Sequence, residues 1–248
     1  MVNAPVGTAP FALIDRDKDD NRLVRSCETN LGDMMADVAR YMSGADIGVC
    51  NGGGLRTGIY RETVTFGDIV SIWPFNNTLR VVECTGQQLL DALEVGVALL
   101  PNENGDFLHV SGLRYTADSH IPSSVIWNEN RMFDGVGNTR RIVKAEVFVP
   151  TNSQQPTANS QQPTADSPLP YEQKGTWQAV DPEATYTIGG QSYIIACSGA
   201  SGTFAKMRLL PLEGEPLNDV QAVCNYIQAM GGTINEAYRR PQGRITIK

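Results

Sequence analysis

The sequence predicts one mixed α/β domain over residues 1–248, with packed helices on a mixed sheet. Four segments combine apolar residues with a helix-start signal, which indicates helices. The segments between and after them are rich in β-branched and aromatic residues, which are typical of strands. An apolar content of 41% is enough to build one sizeable core from 248 residues.

The first half of the chain is predicted to alternate strands and helices. F-A-L-I at 11–14 predicts a short strand, and residues 30–42 predict an amphipathic helix with Asn30 as its N-cap. Residues 47–50 predict a strand that leads into the sequence N-G-G-G-L-R. T-F-G-D at 65–68 predicts a capping box, and therefore the start of a second helix.

The second half is predicted to be richer in strands. T-L-R-V-V-E-C indicates a strand, and T-G-Q-Q at 85–88 opens a helix that runs to Leu100. Three further strands are expected in H-V-S-G-L-R-Y-T-A-D, R-I-V-K-A-E-V-F-V and Y-T-I-G-G-Q-S-Y-I-I-A-C. A last helix begins near Pro216, and R-I-T-I-K closes the chain as a strand.

The segment 151–170 differs from this pattern. N-S-Q-Q-P-T-A at 152–158 is repeated unchanged at 159–165. A polar, proline-containing repeat has too little apolar surface to offset the entropy lost on ordering. We therefore expect an exposed loop inserted into the domain.

Composition excludes several classes of function. The net charge of −7 disfavours a nucleic-acid or anionic-membrane surface, so any anionic ligand must be met by a few local arginines. No apolar run approaches the 18 residues of a membrane span, and the first residues lack a signal-peptide pattern. The five cysteines are scattered without C-x-x-C spacing, which argues against a disulfide framework or a zinc site.

The glycine-rich sequence after Asn51 is the first candidate site. Three consecutive glycines indicate either positive φ angles or a close approach to another part of the chain. At the end of a strand, such a loop can turn its N–H groups toward a ligand, with Asn51 and Arg56 beside it. An ordinary tight turn is the simpler alternative, because the motif is neither G-x-G-x-x-G nor a P-loop.

Five motifs together carry a resemblance to a known family. They are V-R-S-C-E-T-N-L-G-D, N-G-G-G-L-R-T-G-I, T-F-G-D-I-V-S-I-W-P-F-N-N, F-L-H-V-S-G-L-R-Y and V-D-P-E-A-T-Y-T-I. In this order and spacing the chain resembles, from about Val6 to its end, the C-terminal substrate-binding domain of the metal-dependent 5′-nucleotidases. That family also includes UDP-sugar hydrolases and 2′,3′-cyclic phosphodiesterases. The resemblance implies a 5′-nucleotidase C-terminal domain fold.

The resemblance implies that the polar residues of this region bind substrate. Arg25, in R-S-C-E-T-N-L-G, occupies the place of a substrate-binding arginine. Asn51 and Arg56 match residues that contact the nucleoside or its phosphate side. The intervening loop, with Gly53 and Gly54, would form the floor of the pocket. Taken alone, the two arginines are equally compatible with surface ion pairs, and Asn51 with a turn former.

The resemblance also implies an aromatic clamp around the base. Phe75, in W-P-F-N-N, matches a ring that stacks on one face, and Phe204, in S-G-A-S-G-T-F, is the nearest match to the ring on the other face. Their polar, turn-rich surroundings favour exposure on a cleft over burial in the core. Stacking between two rings would give little selectivity for the base. The family's G-G-D-G is replaced here, so its loop carboxylate is missing.

Catalytic residues are not apparent in the chain. Two-metal phosphoester hydrolysis needs several Asp, His and Asn ligands, whereas the two histidines, His109 and His120, are isolated, and His109 is predicted to be packed rather than metal-bound. The family holds two divalent ions, of the zinc or manganese type, in a separate N-terminal metallophosphatase domain. The resemblance therefore implies a nucleotide-recognition domain that needs that partner, holds no cofactor itself and is inactive alone.

Two alternatives remain open at this stage. One is an autonomous hydrolase that uses a thiol or hydroxyl nucleophile such as Cys50 or Ser198, although no His–carboxylate pairing supports it. The other is a stand-alone binding or scaffold module that has lost its ligand. The resemblance further implies a location outside the cytoplasm, in the periplasm, at the cell surface or secreted.

Overall fold

The structure, a computed structural model, describes residues 2–151, 168–197, 199–211 and 215–248, with only the backbone at 199 and 200. The predicted repeat loop at 152–165 and the candidate nucleophile Ser198 lie outside these residues. The described strands and helices are β1 (Pro5–Thr8), α1 (Asn30–Ser43), β2 (Ile47–Asn51), β3 (Thr63–Thr65), α2 (Phe66–Ile72), β4 (Leu79–Thr85), α3 (Gly86–Val97), β5 (Leu108–Ser111), β6 (Leu113–Ala117), β7 (Val125–Trp127), β8 (Phe133–Val136), β9 (Ile142–Pro150), β10 (Gly175–Ala179), β11 (Thr185–Gln191), α4 (Ser192–Ala196), β12 (Arg208–Leu210), α5 (Asp219–Ala229) and β13 (Ile245–Ile247).

A five-stranded mixed sheet lies at the centre of the fold, with strand order β12-β4-β11-β2-β5. Strands β2 and β11 run parallel, and the other neighbours run antiparallel. Side chains of β2 alternate between two hydrophobic clusters. Ile47 and Val49 belong to the cluster that contains residues of α3, and Cys50 belongs to the cluster that contains residues of α1 and α5. Helices therefore cover both faces, as the mixed α/β prediction requires.

A second sheet, with order β10-β9-β6-β13, follows the first directly in the chain. Residues 109–118, predicted as one strand, form β5 in the first sheet and β6 in the second. The break is Gly112, which has a φ of +69°, and a Cβ there would lie 2.3 Å from the carbonyl oxygen of Asp46. Only glycine fits this conformation and this approach. Two short pairs, β1 with β3 and β7 with β8, complete the described sheets.

Local helix signals are confirmed with small shifts. The capping boxes at Thr65 and Thr85 are both present. Helix α1 is capped by Thr29 rather than Asn30, because the Thr29 hydroxyl accepts from the backbone N–H of Gly32 at 3.0 Å. The Asn30 amide instead donates to the carbonyl oxygens of Ala12 and Tyr238. Helix α5 begins at Asp219 with Asn218 as its cap, three residues beyond Pro216.

Two predicted strands differ in the structure. F-A-L-I at 11–14 forms only an isolated bridge between Leu13 and Ile59. The strand predicted from Tyr186 onward ends at Gln191 and continues as α4, where Ile194 and Ile195 are buried in the core. Both segments are apolar enough for a strand, and their tertiary contacts decide otherwise.

The flanks of the predicted insertion are ordinary parts of the domain. The backbone N–H of Thr151 donates to the carbonyl oxygen of Lys174 at 2.8 Å, which extends the pairing of β9 with β10. Leu169, which we expected in the exposed loop, is buried in the cluster of α1 and α5. None of the helices in the described ranges combines the length and hydropathy that a bilayer crossing requires.

Candidate functional site

Asn51 is the last residue of β2 and lies at the end of the central sheet where the parallel strands β2 and β11 both finish. Its Nδ2 donates to the carbonyl oxygen of Gly105 at 2.8 Å. Its Oδ1 is buried, and no described group hydrogen-bonds to it. A Cβ on Gly54 would lie 2.8 Å from this oxygen. Because a buried acceptor without a partner is costly, Oδ1 is a natural contact for a bound donor.

Close approach explains the glycines that follow Asn51. None of Gly52, Gly53 and Gly54 has a positive φ. A Cβ on Gly52 would lie 1.9 Å from the carbonyl oxygen of Val24, and one on Gly53 would lie 2.8 Å from that of Gly105. The loop therefore packs directly between two other backbone segments, which decides between the two expectations for the triplet.

The N–H groups of this loop are not turned toward a ligand, contrary to our expectation. Gly52 and Gly53 donate to the carbonyl oxygens of Phe107 and Gly105, each at 2.8 Å, and Gly54 donates to that of Asn51 at 3.0 Å. Because the segments pack closely, these three N–H groups are already hydrogen-bonded to carbonyl oxygens of the protein. Ligand contacts at this site must therefore come from side chains.

Arg25 ends a short 3-10 helix, Leu23–Arg25, beside the glycine loop. Its Nε is buried and has no hydrogen-bond partner in the described part of the chain. Burial is the main cause that lowers its pKa, and the nearby charges of Arg22 and Arg56 lower it further, against the effect of Glu103. Glu103 is paired with Arg22 at 2.5 Å. Arg25 is thus a half-buried cation whose guanidinium lacks a full set of acceptors.

Arg56 connects the glycine loop to Phe75. Its backbone N–H donates to the carbonyl oxygen of Ile72 at 3.1 Å, and its Nη1 donates to that of Gly53 at 3.1 Å. Its Cζ lies 5.8 Å from the centroid of the Phe75 ring, within the range of a cation–π contact. Within the described ranges no carboxylate pairs with Arg25 or Arg56. The alternative that these two arginines form surface ion pairs is therefore not supported.

Phe75 is 56% exposed and stands on a loop that a buried polar network holds in place. The backbone N–H of Asp219 donates to the carbonyl oxygen of Asn77 at 2.9 Å, and the backbone N–H of Asn77 donates to Asp219 Oδ2 at 3.2 Å. Gln191 Nε2 donates to the same carboxylate oxygen at 2.6 Å. Ser192 donates to Asn77 Oδ1 at 3.1 Å. Burial raises the pKa of Asp219, and the hydrogen bond from Gln191 opposes that rise.

Sequence reasoning missed this supporting network. Its only signal is polar residues at the ends of strands, in Q-S at 191–192 where β11 ends and in N-N-T at 76–78 directly before β4. It also missed the segment 103–106. The carbonyl oxygen of Gly105 in this segment accepts hydrogen bonds from Asn51 Nδ2 and from the backbone N–H of Gly53. Such a pairing between distant segments leaves no local pattern in the sequence.

Phe204 does not lie on the cleft, and our expectation that it is exposed was wrong. Its side chain is 0% exposed and belongs to the hydrophobic cluster that contains residues of α3. Burying a phenylalanine ring contributes about 1.5–3 kcal/mol, which favours this placement over exposure. The preceding loop is held near the site, because Ser201 Oγ donates to Asp106 Oδ2 at 2.5 Å. The structure thus brings together Arg25, Asn51, Gly53, Gly54, Arg56 and Phe75, and leaves Phe204 in the core.

Independent catalytic chemistry finds little support in the described residues. Cys50 is fully buried, and burial raises the pKa of its thiol, so a reactive thiolate is disfavoured. His109 is packed as predicted. Its Nε2 lies 2.9 Å from the carbonyl oxygen of Val24, and burial lowers its pKa to about 4. No group of three His, Cys, Asp or Glu side chains suited to a metal ion occurs in the described ranges.

Comparisons with known proteins agree on one family. The sequence pattern described as 5′-nucleotidase, C-terminal domain, matches residues 5–207. The chain is similar to the trifunctional nucleotide phosphoesterase protein YfkN of Bacillus subtilis, with 43% identity over 97 residues, 38% of this chain and 7% of YfkN. It is 36% identical over 128 residues to the cell wall protein Lmo0130 of Listeria monocytogenes, 47% of this chain and 16% of that protein.

A solved structure shares the fold. The 5′-nucleotidase precursor from Thermus thermophilus matches 98% of this chain with a TM-score of 0.71 and 24% identity, and the match covers 39% of that protein. The chain spans less than a fifth of the length of the two relatives above and about two fifths of this structure.

Proposed function

The chain belongs to the 5′-nucleotidase C-terminal domain family, and on that premise we propose that it is the nucleotide-recognition domain of a phosphohydrolase. In this proposal it binds the nucleoside and phosphate of the substrate. A separate N-terminal metallophosphatase domain holds two divalent ions of the zinc or manganese type and carries out the hydrolysis. This chain alone then binds without hydrolysing.

The observation that carries the proposal is the meeting of unused binding groups at one end of the central sheet. Asn51 Oδ1 is a buried acceptor that has no partner among the described residues, and it suits a ribose hydroxyl. Arg25 and Arg56, which have no carboxylate partner in the described part, suit phosphate or ribose oxygens. Phe75 offers an exposed ring on which a base can stack. Cation, acceptor and ring are the three contacts that a nucleotide needs.

Recognition of the base is proposed to rest mainly on Phe75. A two-sided clamp requires the segment Phe204–Lys206 to leave its core position, at a cost of about 1.5–3 kcal/mol for exposing the ring. Stacking on one ring gives weak base selectivity. Asp106, which Ser201 holds beside the glycine loop, offers a carboxylate in place of the one absent from the G-A-S-G loop.

The proposed setting is outside the cytoplasm, in the periplasm, at the cell surface or secreted. Support comes from Lmo0130, a relative that is named a cell wall protein. Neither nucleic acid nor a membrane surface is part of the proposal, because the net charge is −7 and 27 acidic residues outnumber the 20 Lys and Arg residues.

Calorimetric titration with adenosine and AMP tests the proposal. Phe75→Ala should weaken the binding of both ligands at least ten-fold, because stacking contributes about 1–3 kcal/mol per base. The matched control is Leu99→Ala, since Leu99 is similarly exposed, at 52% against 56% for Phe75. We expect the control to bind like the unmodified chain.

The same preparation separates the alternatives. No phosphate should be released from AMP in the presence of Mn²⁺, and phosphate release without added metal would instead support the hydroxyl or thiol hydrolase. An unmodified chain that binds neither adenosine nor AMP would contradict the proposal and favour the scaffold module.

A further inference from the structure

A second polar cavity lies at the opposite end of β2 from Asn51. It has a volume of about 170 Å³, and Arg40, Asp37, Ser111 and Gln173 are among the residues that line it. Arg40 packs at the start of β2, where a Cβ on Gly48 would lie 2.5 Å from its backbone nitrogen. At roughly 3.3 Å per residue, the strand separates this end from Asn51 by about 10 Å. The cavity is therefore distinct from the proposed nucleotide site.

Arg40 contributes an incompletely paired cation to this cavity. The residue is 8% exposed, and its Nε donates to the carbonyl oxygen of Asp46 at 2.8 Å. Its Cζ lies 5.9 Å from the centroid of the Phe148 ring, which also lines the cavity. Within the described ranges its terminal nitrogens make no hydrogen bond and no carboxylate pairs with it. A buried guanidinium in this state favours a bound anion.

The second arginine of the cavity, Arg244, is satisfied by the protein. Its Nη2 donates to Asp37 Oδ2 at 2.7 Å, and its Nη1 donates to the carbonyl oxygen of Val110 at 2.8 Å. Asp37 Oδ2 also accepts from the Tyr238 hydroxyl at 2.6 Å. The charge of Arg244 is thus used to hold Asp37 in place, and Arg40 remains the cation that is open to a ligand.

Three residues that line the same cavity carry acceptors without described partners. Asp37 Oδ1, Ser111 Oγ and Gln173 Oε1 are buried and have no hydrogen-bond partner among the described residues. Asp37 and Ser111 are both fully buried, so leaving these oxygen atoms without hydrogen bonds costs free energy. The lining residues therefore suit a ligand that accepts hydrogen bonds from Arg40 and donates hydrogen bonds to Asp37 and Gln173.

We propose that this cavity binds a small zwitterion, a free α-amino acid, with its carboxylate at Arg40 and its ammonium group at Asp37 Oδ1 and Gln173 Oε1. The size agrees, because about 170 Å³ exceeds the roughly 30 Å³ of one water several-fold and is well below the space that larger organic ligands occupy. Binding here is independent of the nucleotide site.

Saturation-transfer NMR and calorimetry on the full chain test this site with glycine, L-serine, acetate and methylamine as probes. Glycine or L-serine should bind at least ten-fold more tightly than acetate or methylamine, because only they present both charged groups. Arg40→Lys should weaken their binding at least ten-fold, since it removes the planar fork while keeping the charge.

A second variant guards against effects on folding. Ser111→Ala removes a hydroxyl that has no hydrogen-bond partner among the described residues and that, in the proposed complex, accepts from the ammonium group of the ligand. The variant should therefore leave the thermal midpoint and the AMP affinity unchanged while weakening glycine binding several-fold. The proposal is overturned if no probe binds, which would make the cavity a water site. It is equally overturned if acetate matches glycine, or if both variants bind glycine like the unmodified chain.

Discussion

The side-chain amide of Asn51 has two separate roles at the residue scale. Its Nδ2 holds the segment around Gly105 at 2.8 Å, while Oδ1 is buried without a described partner. An unsatisfied buried acceptor costs about 1–3 kcal/mol. Under the proposed function, a ribose hydroxyl that donates to Oδ1 would recover part of this energy.

Phe75 and Phe204 should respond differently to truncation. Phe204→Ala opens a cavity in the cluster around α3 and should lower the free energy of unfolding by about 3–5 kcal/mol. Phe75→Ala removes an exposed ring and should change it by less than about 0.5 kcal/mol. Urea denaturation of both variants measures the difference. If Phe204→Ala were as stable as the unmodified chain and lost AMP affinity, the ring would belong to the pocket and not to the core.

Close contact between three backbone segments shapes the site at the scale of elements. The Leu23–Arg25 turn, the glycine loop and the segment around Gly105 meet at distances that leave no room for a Cβ. His109, on β5, fastens the turn by a 2.9 Å contact with the carbonyl oxygen of Val24. The position of Arg25 relative to Asn51 is therefore set by packing of the main chain.

Gly52→Ala should disturb this arrangement directly. The added Cβ would lie 1.9 Å from the carbonyl oxygen of Val24, a backbone atom, so the turn that carries Arg25 must shift. We expect a loss of about 1–3 kcal/mol in stability and a loss of AMP affinity of at least ten-fold. Gly135→Ala is the control, because the nearest atom to its Cβ would be 4.0 Å away. Equal AMP affinity in the two variants would contradict this account of the loop.

How far the sequence predicts these elements depends on the range of the interactions that form them. Capping boxes join residues three apart, so those at Thr65 and Thr85 are visible in the sequence and are confirmed. The break at Gly112 depends on contact with Asp46, and the burial of Phe204 depends on α3. Such contacts join distant parts of the chain, and residue type and local spacing do not encode them.

Predictability of the site follows the same rule. The resemblance identifies the motif residues Arg25, Asn51, Arg56 and Phe75, and the structure brings them together. The resemblance does not predict how each of these groups is oriented. The loop N–H donors turn inward, and one of the two aromatic rings enters the core. Orientation depends on how the surrounding segments pack, and motif matching does not report it.

The whole molecule uses the two ends of β2 differently. At the carboxyl end the main chain is closely packed and side chains supply the unused groups. At the other end, α1 carries Asp37 and Arg40 into a separate polar cavity. Helices bury both faces of the sheet between these ends. Stability of this shared core therefore bears on both sites, and His109 lies within it.

The buried state of His109 predicts an acid-sensitive fold. Burial lowers its pKa to about 4 in the folded chain, from 6.5 when exposed, so the unfolded chain binds the proton more readily. The free energy of unfolding keeps its full value above pH 6.5, and this group lowers it progressively as the pH falls from 6.5 toward 4. Between pH 7 and pH 5 the free energy of unfolding should fall by about 2 kcal/mol through this group.

Replacing His109 separates its contribution to the acid sensitivity of the fold from the contribution of the carboxylates. His109→Gln keeps a polar side chain that can donate toward the carbonyl oxygen of Val24 and removes the titration. Urea unfolding at pH 7 and pH 5 should show a loss smaller by about 2 kcal/mol in the variant than in the unmodified chain. His120→Gln, at an exposed position, should keep the full loss. An identical loss in the unmodified chain and His109→Gln would mean that buried carboxylates, and not His109, govern the acid sensitivity of the core.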